Sequence, residues 1–177
     1  IVLQNIILSM NNSTSTSYAI ESICLILTHI EKLKEESLNM DLRNILLKAS
    51  NFAGLAISNT KTAAAHSISY PLTINYGIPH GIASSLALLC LLEINSSKIE
   101  KELDTIIRDL EMVNVTELKE HIERIPKDFI KFNLKSFGVR KSDLIDLARQ
   151  SFTPERMDNN IIDLNKKDII DIFRKIY

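Results

Sequence analysis

The chain has 177 residues, 45% of them hydrophobic, which suffices for one globular domain with a proper core but not comfortably for two. Its 21 basic and 22 acidic residues leave a formal net charge of -1, so the composition disfavours binding to nucleic acid or to an anionic membrane surface. Cys24 and Cys90 both lie in apolar, helix-like runs, which predicts free thiols and a cytoplasmic location rather than a disulfide framework.

The opening segment IVLQNIILSM is apolar, but it does not match a signal peptide. No basic stretch precedes the apolar residues, and no small-residue cleavage site follows them. Their length is also far below that of a membrane span. Because the sequence does not begin with methionine, we expect it to be a piece of a longer chain.

An all-α fold is predicted, because the chain has only four glycines and four prolines and hardly any run alternates with a period of two residues. In the first part of the chain, apolar residues recur at helical spacing. They predict one helix over about 18–36, with the polar run NNSTSTS offering N-cap oxygens before it, and a second helix over about 41–57. A short third helix is predicted over about 61–69, where Pro71 stops it.

The middle of the chain contains the most apolar predicted helix. After a predicted loop, PLTINYGIPHG, the segment 82–93 is apolar on nearly every side, which is typical of a helix buried at the centre of a bundle. Ser97 and Glu100 then form a capping-box pattern, which predicts a helix that continues to about residue 110. Together these segments predict a helical bundle around one central helix.

The last part of the chain predicts four more helices. Thr116 is the predicted N-cap of a helix that ends before Pro126, and another helix is predicted over 127–136. The remaining two are predicted over 142–151, behind a Ser142 cap, and over 166–176, behind Asn165. The segment FTPERMDNN between these two helices is predicted to form an ordered turn.

Two of the four histidines, His66 and His80, lie fourteen positions apart in the stretch HSISYPLTINYGIPHG. Pro79 places His80 at the start of the buried helix, so the preceding loop can bring both rings to one cleft. Neutral imidazoles that converge in this way are ligands for a divalent metal ion. Tyr70, one helical turn after His66, can share that face, and Gly77 permits the tight return of the chain.

Spacing alone leaves a structural interpretation open, in which both histidines are surface residues or hydrogen-bonded core residues. Two nitrogens are also fewer than the three protein ligands that a divalent ion usually takes. His29 and His121 lie in charged helix ends, where solvated surface residues are expected, and no functional role is predicted for them. Lys61 and Thr62, about one turn before His66, form a weak candidate site for an anionic substrate tail such as a phosphonate, with a solvated helix N-terminus as the alternative.

The stretch AGLAISNTKTAAAHSISYPLTINYGIPHG resembles the signature of the iron-containing alcohol dehydrogenase family, in which A-G-x-x-x-S-N is followed by a histidine, then P-L and then P-H-G. The segment NNSTSTSYAIESICLI and the C-terminal segment from SFGVRKSDLIDLARQ onward are similar to the same family, so the resemblance covers about residue 9 to the end. It implies the family's C-terminal helical domain, a dehydroquinate synthase-like bundle. The segments S-Y-P-L-T and Y-G-I-P-H-G are most similar to those of the branch of the family that acts on phosphonoacetaldehyde and similar small aldehydes.

This resemblance implies a divalent metal, iron or zinc, held by an aspartate, a residue four positions later, and two histidines that match His66 and His80. In relatives the aspartate lies shortly before the polar turn. The corresponding segment here, IVLQNIILS, contains no Asp, Glu or His, so we expect an incomplete ligand set. A family histidine assigned to proton transfer matches Tyr70, which becomes the candidate catalytic residue, with packing against Tyr76 over the loop as the alternative.

The resemblance also implies NAD or NADP, bound in the family by an N-terminal Rossmann-like domain. No cofactor-binding residue is predicted in this chain, because its glycines, at 54, 77, 81 and 138, form no cluster that can cradle a pyrophosphate. We therefore expect residues 1–177 to be a single helical metal-binding domain and the nucleotide-binding domain to be absent.

Two functions remain open. In the first, the chain is the metal-bearing half of an NAD(P)-dependent oxidoreductase for a small aldehyde or alcohol, and it is inactive without a complementary nucleotide-binding domain. In the second, it is a non-catalytic helical remnant or interaction module with an exposed apolar cleft. The sequence leaves open the substrate, the choice between NAD and NADP, the metal and the oligomeric state.

Overall fold

The structure is a computed structural model, and it describes residues 13–32, 39–58, 60–127, 129–153 and 156–177. Helices and turns make up these residues, none of which forms a β-strand, so the predicted all-α fold is confirmed. In chain order, the α-helices are α1 (Ser13–His29), α2 (Met40–Ser58), α3 (Ala64–Tyr76), α4 (His80–Leu86), α5 (Leu88–Asn95), α6 (Glu100–Asp109), α7 (Val115–Arg124), α8 (Leu144–Gln150) and α9 (Lys166–Lys175). Short 3-10 helices lie at Ser96–Lys98, Leu134–Phe137, Lys141–Asp143 and Met157–Asn159.

The first two helices pack against each other. The hydroxyl of Ser22 in α1 donates a 2.6 Å hydrogen bond to the carbonyl of Ala49 in α2, and both residues are fully buried. Helix α2 matches its predicted range, but α1 begins earlier than predicted, so part of the polar run lies inside the helix. The hydroxyl of Ser17 bonds back to the carbonyl of Ser13, which satisfies the side chain within the helix. Part of the predicted end of this helix, residues 33–38, lies outside the described residues.

The prediction that Pro71 stops the third helix is wrong. Helix α3 continues through Pro71 to Tyr76, so the segment PLTINY is helical rather than a loop. A proline inside a helix costs about 3 kcal/mol. Here Ile68 and Leu72, on either side of it, are both fully buried, and their packing offsets that cost. The helix instead ends at Gly77, whose left-handed φ of 65° closes it.

The predicted central helix is found in the expected place, but it is broken into α4 and α5 at Ala87. Cys90 and Leu91 belong to one apolar cluster, whereas Leu92 belongs to a second. The helix therefore lies between the two cores of the domain. Among the described residues, no single helix is long and apolar enough to cross a membrane. The segments His80–Lys98 and Glu100–Asp109 reach that threshold only as a pair, by length and composition, and they are bent by 113°.

The two helix caps predicted in the middle of the chain, Ser97 and Thr116, are not formed. Ser97 lies in a 3-10 helix, and α6 follows Ile99, which makes no side-chain cap hydrogen bond. Ile99 is almost fully buried, so apolar packing sets the turn there. Helix α7 has nearly its predicted range, but its N-cap is Asn114, which accepts hydrogen bonds from the backbone N–H groups of Thr116 and Glu117.

The C-terminal part departs from prediction at one helix and agrees at another. The helix predicted over 127–136 is wrong, because only Leu134–Phe137 is helical in the described part of that range, and it is a 3-10 turn. Ser142 does not cap α8, since its hydroxyl donates to Asp143 instead. Helix α9 begins behind Asn165 as predicted, with a complete capping box formed by Asn165 and Asp168.

Candidate active site

His66 lies in the first turn of α3, where three successive alanines pack it into the core. Ala63, Ala64 and Ala65 are buried, and the backbone N–H of His66 donates to the carbonyl of Ala63 at 3.0 Å. The side chain is only 7% exposed. Burial lowers the pKa of His66 from 6.5 to about 4, and nearby positive charge, including that of Arg156, adds to the effect. The imidazole is therefore neutral at physiological pH.

His80 returns to His66 through a three-residue turn. The backbone N–H of Gly77 donates to the carbonyl of Thr73 at 3.0 Å and ends α3, and Pro79 then precedes the first residue of α4. His80 itself is exposed. The centroids of the two imidazole rings are 5.3 Å apart, with 52° between their planes. One buried and one exposed imidazole thus face each other at the surface of the domain.

Ser69 links the two histidines. Its hydroxyl donates a 2.7 Å hydrogen bond to the carbonyl of His66, and the hydroxyl oxygen lies 3.5 Å from Nδ1 of His80. Because the Ser69 hydroxyl donates its proton to the carbonyl of His66, its oxygen can accept a hydrogen bond from an Nδ1–H of His80. In that tautomer, Nε2 of His80 has no proton and is available as a metal ligand.

Tyr70 joins the same group of rings, and so does a residue that the sequence did not indicate. The Tyr70 ring stacks on His80 at 6.1 Å between centroids, with 29° between planes. On Tyr70, the guanidinium of Arg156 lies 4.8 Å from the ring centroid. This contact is a cation–π interaction. His66, His80, Tyr70 and Arg156 therefore form one continuous cluster.

Lys61 and Thr62 do not lie where predicted, because α3 begins at Ala64 and both residues precede it. Lys61 is exposed and Thr62 is half-buried. The carbonyl of Thr62 accepts a 3.0 Å hydrogen bond from the side-chain amide of Asn159. This bond fastens the 3-10 turn that follows Arg156 to the start of α3, close to His66.

Comparison with known proteins identifies the family. A family model described as "Fe-containing alcohol dehydrogenase family, C-terminal" matches residues 6–177. The chain belongs to this family. The resemblance noted from the sequence is thus confirmed, and the helical domain of the fold is that of iron-containing alcohol dehydrogenases.

Three relatives illustrate the match. The 1,3-propanediol dehydrogenase of Citrobacter freundii is 25% identical over 175 residues, which cover 94% of this chain and 45% of that protein. The phosphonoacetaldehyde reductase of Streptomyces viridochromogenes is 30% identical over 81 residues, or 46% of this chain and 20% of the relative. The structure of sulfoacetaldehyde reductase from Bifidobacterium kashiwanohense in complex with NAD+ superposes with a TM-score of 0.89 at 23% identity, over 99% of this chain and 46% of that one. The chain spans less than half the length of these relatives.

The histidines fit part of the metal site that an iron-containing alcohol dehydrogenase implies. Iron and zinc both accept imidazole ligands, which must be neutral to bind, as His66 is. Among the described residues, no group of three or more His, Cys, Asp and Glu side chains is placed to hold a metal. The segment IVLQNIILS, where the family aspartate is expected, lies outside them. The metal-binding roles of His66 and His80 stay predictions.

The other two histidines have structural contacts. Nδ1 of His29 lies 2.9 Å from the carbonyl of Leu25, one turn earlier in α1. Nε2 of His121 lies 3.2 Å from the carbonyl of Leu27, which connects α7 to α1. Both rings are half-buried, so they are less solvated than the sequence indicates, and backbone carbonyls occupy one nitrogen of each.

A second polar cluster lies at the other end of α3. Tyr76 donates a hydrogen bond to the carboxylate of Asp143, and Arg140 pairs with the same carboxylate at 2.8 Å. Asn75 donates to Gln150 at 2.8 Å beside them. These residues line an open pocket of about 490 Å³. Because its charged and polar groups are already paired with one another, the cluster fastens α3 to α8.

Proposed function

We propose that this chain supplies the metal-bearing half of an NAD(P)-dependent oxidoreductase that interconverts a small aldehyde and its alcohol. The observation that supports this most directly is the approach of the His66 and His80 rings to 5.3 Å in a chain of this family. The relatives' names include 1,3-propanediol dehydrogenase, phosphonoacetaldehyde reductase and sulfoacetaldehyde reductase, all of which indicate short substrates. We extend that substrate class to this chain.

In this proposal, His66 and His80 hold a divalent iron or zinc ion, and Tyr70 acts beside them. The bound ion supplies Lewis-acid polarisation of the substrate oxygen. The ring of Tyr70 is half-buried and stacked on His80. Its hydroxyl would give a proton to the substrate oxygen in reduction and take it back in oxidation. NAD or NADP is held by a complementary nucleotide-binding domain and carries the hydride.

Metal binding at the two histidines is tested on the purified chain. We expect added Zn²⁺ or anaerobic Fe²⁺ to raise the melting temperature, because a ligand that binds only the folded state stabilises it. His66→Asn and His80→Asn should each abolish the rise, whereas His121→Asn, a matched control in α7, should retain it. An equal rise in all four proteins would contradict the assignment of the metal to this pair.

The role of Tyr70 is tested in the enzyme completed with its nucleotide-binding domain. Tyr70→Phe keeps the ring that stacks on His80 and removes only the hydroxyl. We expect a lower kcat and a changed pH profile, because the proton-transferring group is lost. Turnover that is unchanged across the pH range would remove the proton-transfer role.

The alternative function, a non-catalytic helical remnant or interaction module, is favoured by one observation. The segment IVLQNIILS contains no Asp or Glu, so within the given sequence no carboxylate precedes the polar run NNSTSTS. This alternative predicts that the completed protein binds no metal and transfers no hydride. Inspecting the nucleotides upstream for a reading frame that encodes a Rossmann-like domain ending in D-x-x-x-H or D-x-x-x-Q separates the two functions.

A further inference from the structure

Arg156 carries a positive charge in the same cluster as the histidine pair, and no carboxylate of the described residues forms an ion pair with it. The side chain is half-buried, and its guanidinium lies over the face of Tyr70, 4.8 Å from the ring centroid. By contrast, Arg124, Arg140 and Lys175 each form an ion pair with a carboxylate. A partly desolvated cation favours an anionic partner.

The backbone holds Arg156 in this position. Its N–H donates to the carbonyl of Thr153 at 3.3 Å, and its own carbonyl accepts from the N–H of Asn159 at 3.2 Å. The Asn159 amide in turn bonds the carbonyl of Thr62, at the entrance to α3. The backbone of Arg156 is therefore held by a turn that is fastened to the start of the helix carrying His66 and Tyr70, and the Tyr70 ring contacts its guanidinium. A cation held in this way is preorganised to bind a ligand.

Successive contacts connect the histidine pair to Arg156 through Tyr70. His66 and His80 form one end, Tyr70 lies against His80, and Arg156 lies on Tyr70. A short molecule whose oxygen faces the histidines can therefore place its other end near the guanidinium. Guanidinium groups bind carboxylate, sulfonate and phosphonate groups through two parallel hydrogen bonds.

We propose that Arg156 determines substrate specificity by binding the anionic tail of a short aldehyde or alcohol whose oxygen faces His66 and His80. The inference rests on the proposed function and deepens it by naming the substrate class: short aldehydes and alcohols that end in a carboxylate, sulfonate or phosphonate. It assigns this role to Arg156 rather than to Lys61, which is exposed and precedes α3.

The first experiment measures anion binding without metal or nucleotide, so that it does not depend on catalysis. The full chain is titrated with 2-hydroxyethanesulfonate in buffer that contains a chelator, and the matched uncharged probe is ethanediol. Nuclear magnetic resonance follows the arginine Nε–H and tyrosine ring signals. We expect the sulfonate to bind and ethanediol not to bind. Arg156→Gln should weaken sulfonate binding about tenfold, the usual size of a lost charge-assisted contact.

Variants and controls separate a specific site from general charge effects. Arg156→Lys should retain part of the affinity, because it keeps the charge and loses the paired geometry. Lys61→Gln and Arg108→Gln, the latter in α6, should bind the sulfonate as the parent does. If Arg156→Gln proves unfolded by circular dichroism, Arg156→Lys carries the comparison. Equal affinity in the parent and in every folded Arg156 variant, or a loss caused by Lys61→Gln alone, would overturn the proposal.

The second experiment distinguishes this inference from the proposed function. In the enzyme completed with its nucleotide-binding domain, Arg156→Gln should raise KM for sulfonate-tailed and carboxylate-tailed aldehydes and leave KM for an uncharged aldehyde unchanged. A completed enzyme that is active but shows no such selectivity would overturn the role of Arg156 alone. A completed protein without any turnover, whose metal-free chain still binds the sulfonate through Arg156, would overturn the proposed function and support the anion site.

Discussion

At the scale of single residues, Asp143 shows how neighbours set the chemistry of a side chain. Hydrogen bonds from Tyr76 and Arg140 hold the pKa of its carboxyl down to about 2, against an ordinary value of 3.8. The charged form is thus favoured in the folded state. The pKa of Asp143 is lower in the folded protein than in the unfolded chain, so its contribution to stability is fully present above pH 3.8. This contribution is lost as the pH falls from 3.8 towards 2.

Tyr76→Phe tests that contact. The substitution removes the hydroxyl donor and keeps the ring, so the pKa of Asp143 should rise towards 3.8, as a carbon-13 titration of the carboxyl group can measure. The free energy of unfolding should be lower than in the parent above pH 3.8, and the difference should shrink as the pH falls towards 2. The control is Tyr18→Phe, in which the substituted ring lies in α1 and stacks on Phe52 of α2. This substitution should leave the pKa of Asp143 unchanged. An unchanged pKa of Asp143 in Tyr76→Phe would contradict the role given to the Tyr76 hydroxyl.

The candidate site could be predicted from the sequence only where its residues share a local pattern. His66, Tyr70 and His80 lie within fifteen residues of one another, so helical spacing and a glycine turn suffice to bring them together. Arg156 is some ninety residues away, in a turn without periodicity. Its approach to Tyr70 depends on the Asn159–Thr62 hydrogen bond, a tertiary contact that no local pattern encodes.

At the scale of helices, the same capping pattern is realised at one position and not at another. Asn165 and Asp168 form both hydrogen bonds of a capping box, and α9 starts as predicted. Ser97 and Glu100 have an equivalent spacing, but the buried side chain of Ile99 fixes the turn between them, and Ser97 lies in a 3-10 helix. Periodicity therefore predicts where the helices lie, whereas burial determines the residue at which each helix starts. Burial also explains why α3 continues through Pro71, which the sequence pattern did not predict.

This difference between the two caps is measurable. Asn165→Ala should lower the free energy of unfolding by about 1 kcal/mol, because two backbone N–H groups lose their acceptor. Ser97→Ala should change it by less than about 0.5 kcal/mol, as for an ordinary surface substitution. Urea denaturation of both variants and the parent gives the comparison. A Ser97→Ala loss as large as that of Asn165→Ala would mean that the predicted box does form.

Gly77 is the residue that closes α3 and allows the return to His80. Its φ of +65° is a left-handed conformation, and an added Cβ would meet no atom within 4 Å, so backbone strain alone opposes a larger residue. Gly77→Ala should lower the free energy of unfolding by about 1 kcal/mol. Gly54→Ala is the matched control, because Gly54 is also in open space but lies inside α2. It should be neutral or stabilise the protein by up to about 1 kcal/mol, as alanine favours a helix. Equal effects in urea denaturation would contradict the turn argument.

At the scale of the whole molecule, the candidate site lies where the central helix emerges from the core. Helices α4 and α5 run between the two apolar clusters, and His80 is the first residue of α4. The core fixes His66 from one side, while His80 remains exposed. The domain thus presents the candidate site, with one buried and one exposed histidine, at its surface. The sequence indicated the central position of the helix through its apolar pattern.

The candidate site is not expected to catalyse hydride transfer by itself. A hydride must pass between a nicotinamide and a carbon held in contact with it, so both binding surfaces have to be present. The glycines of this sequence form no phosphate-binding loop, and two imidazole ligands leave most of the coordination sphere of a divalent ion to other ligands. We expect the purified 177-residue chain to bind Fe²⁺ or Zn²⁺ weakly and to show no NAD(P)-dependent oxidation of 1,3-propanediol. Adding a complementary nucleotide-binding domain should produce turnover, measured as nicotinamide absorbance, in the parent and not in His66→Asn. Turnover by the chain alone would contradict both the need for a second domain and the roles given to the two histidines.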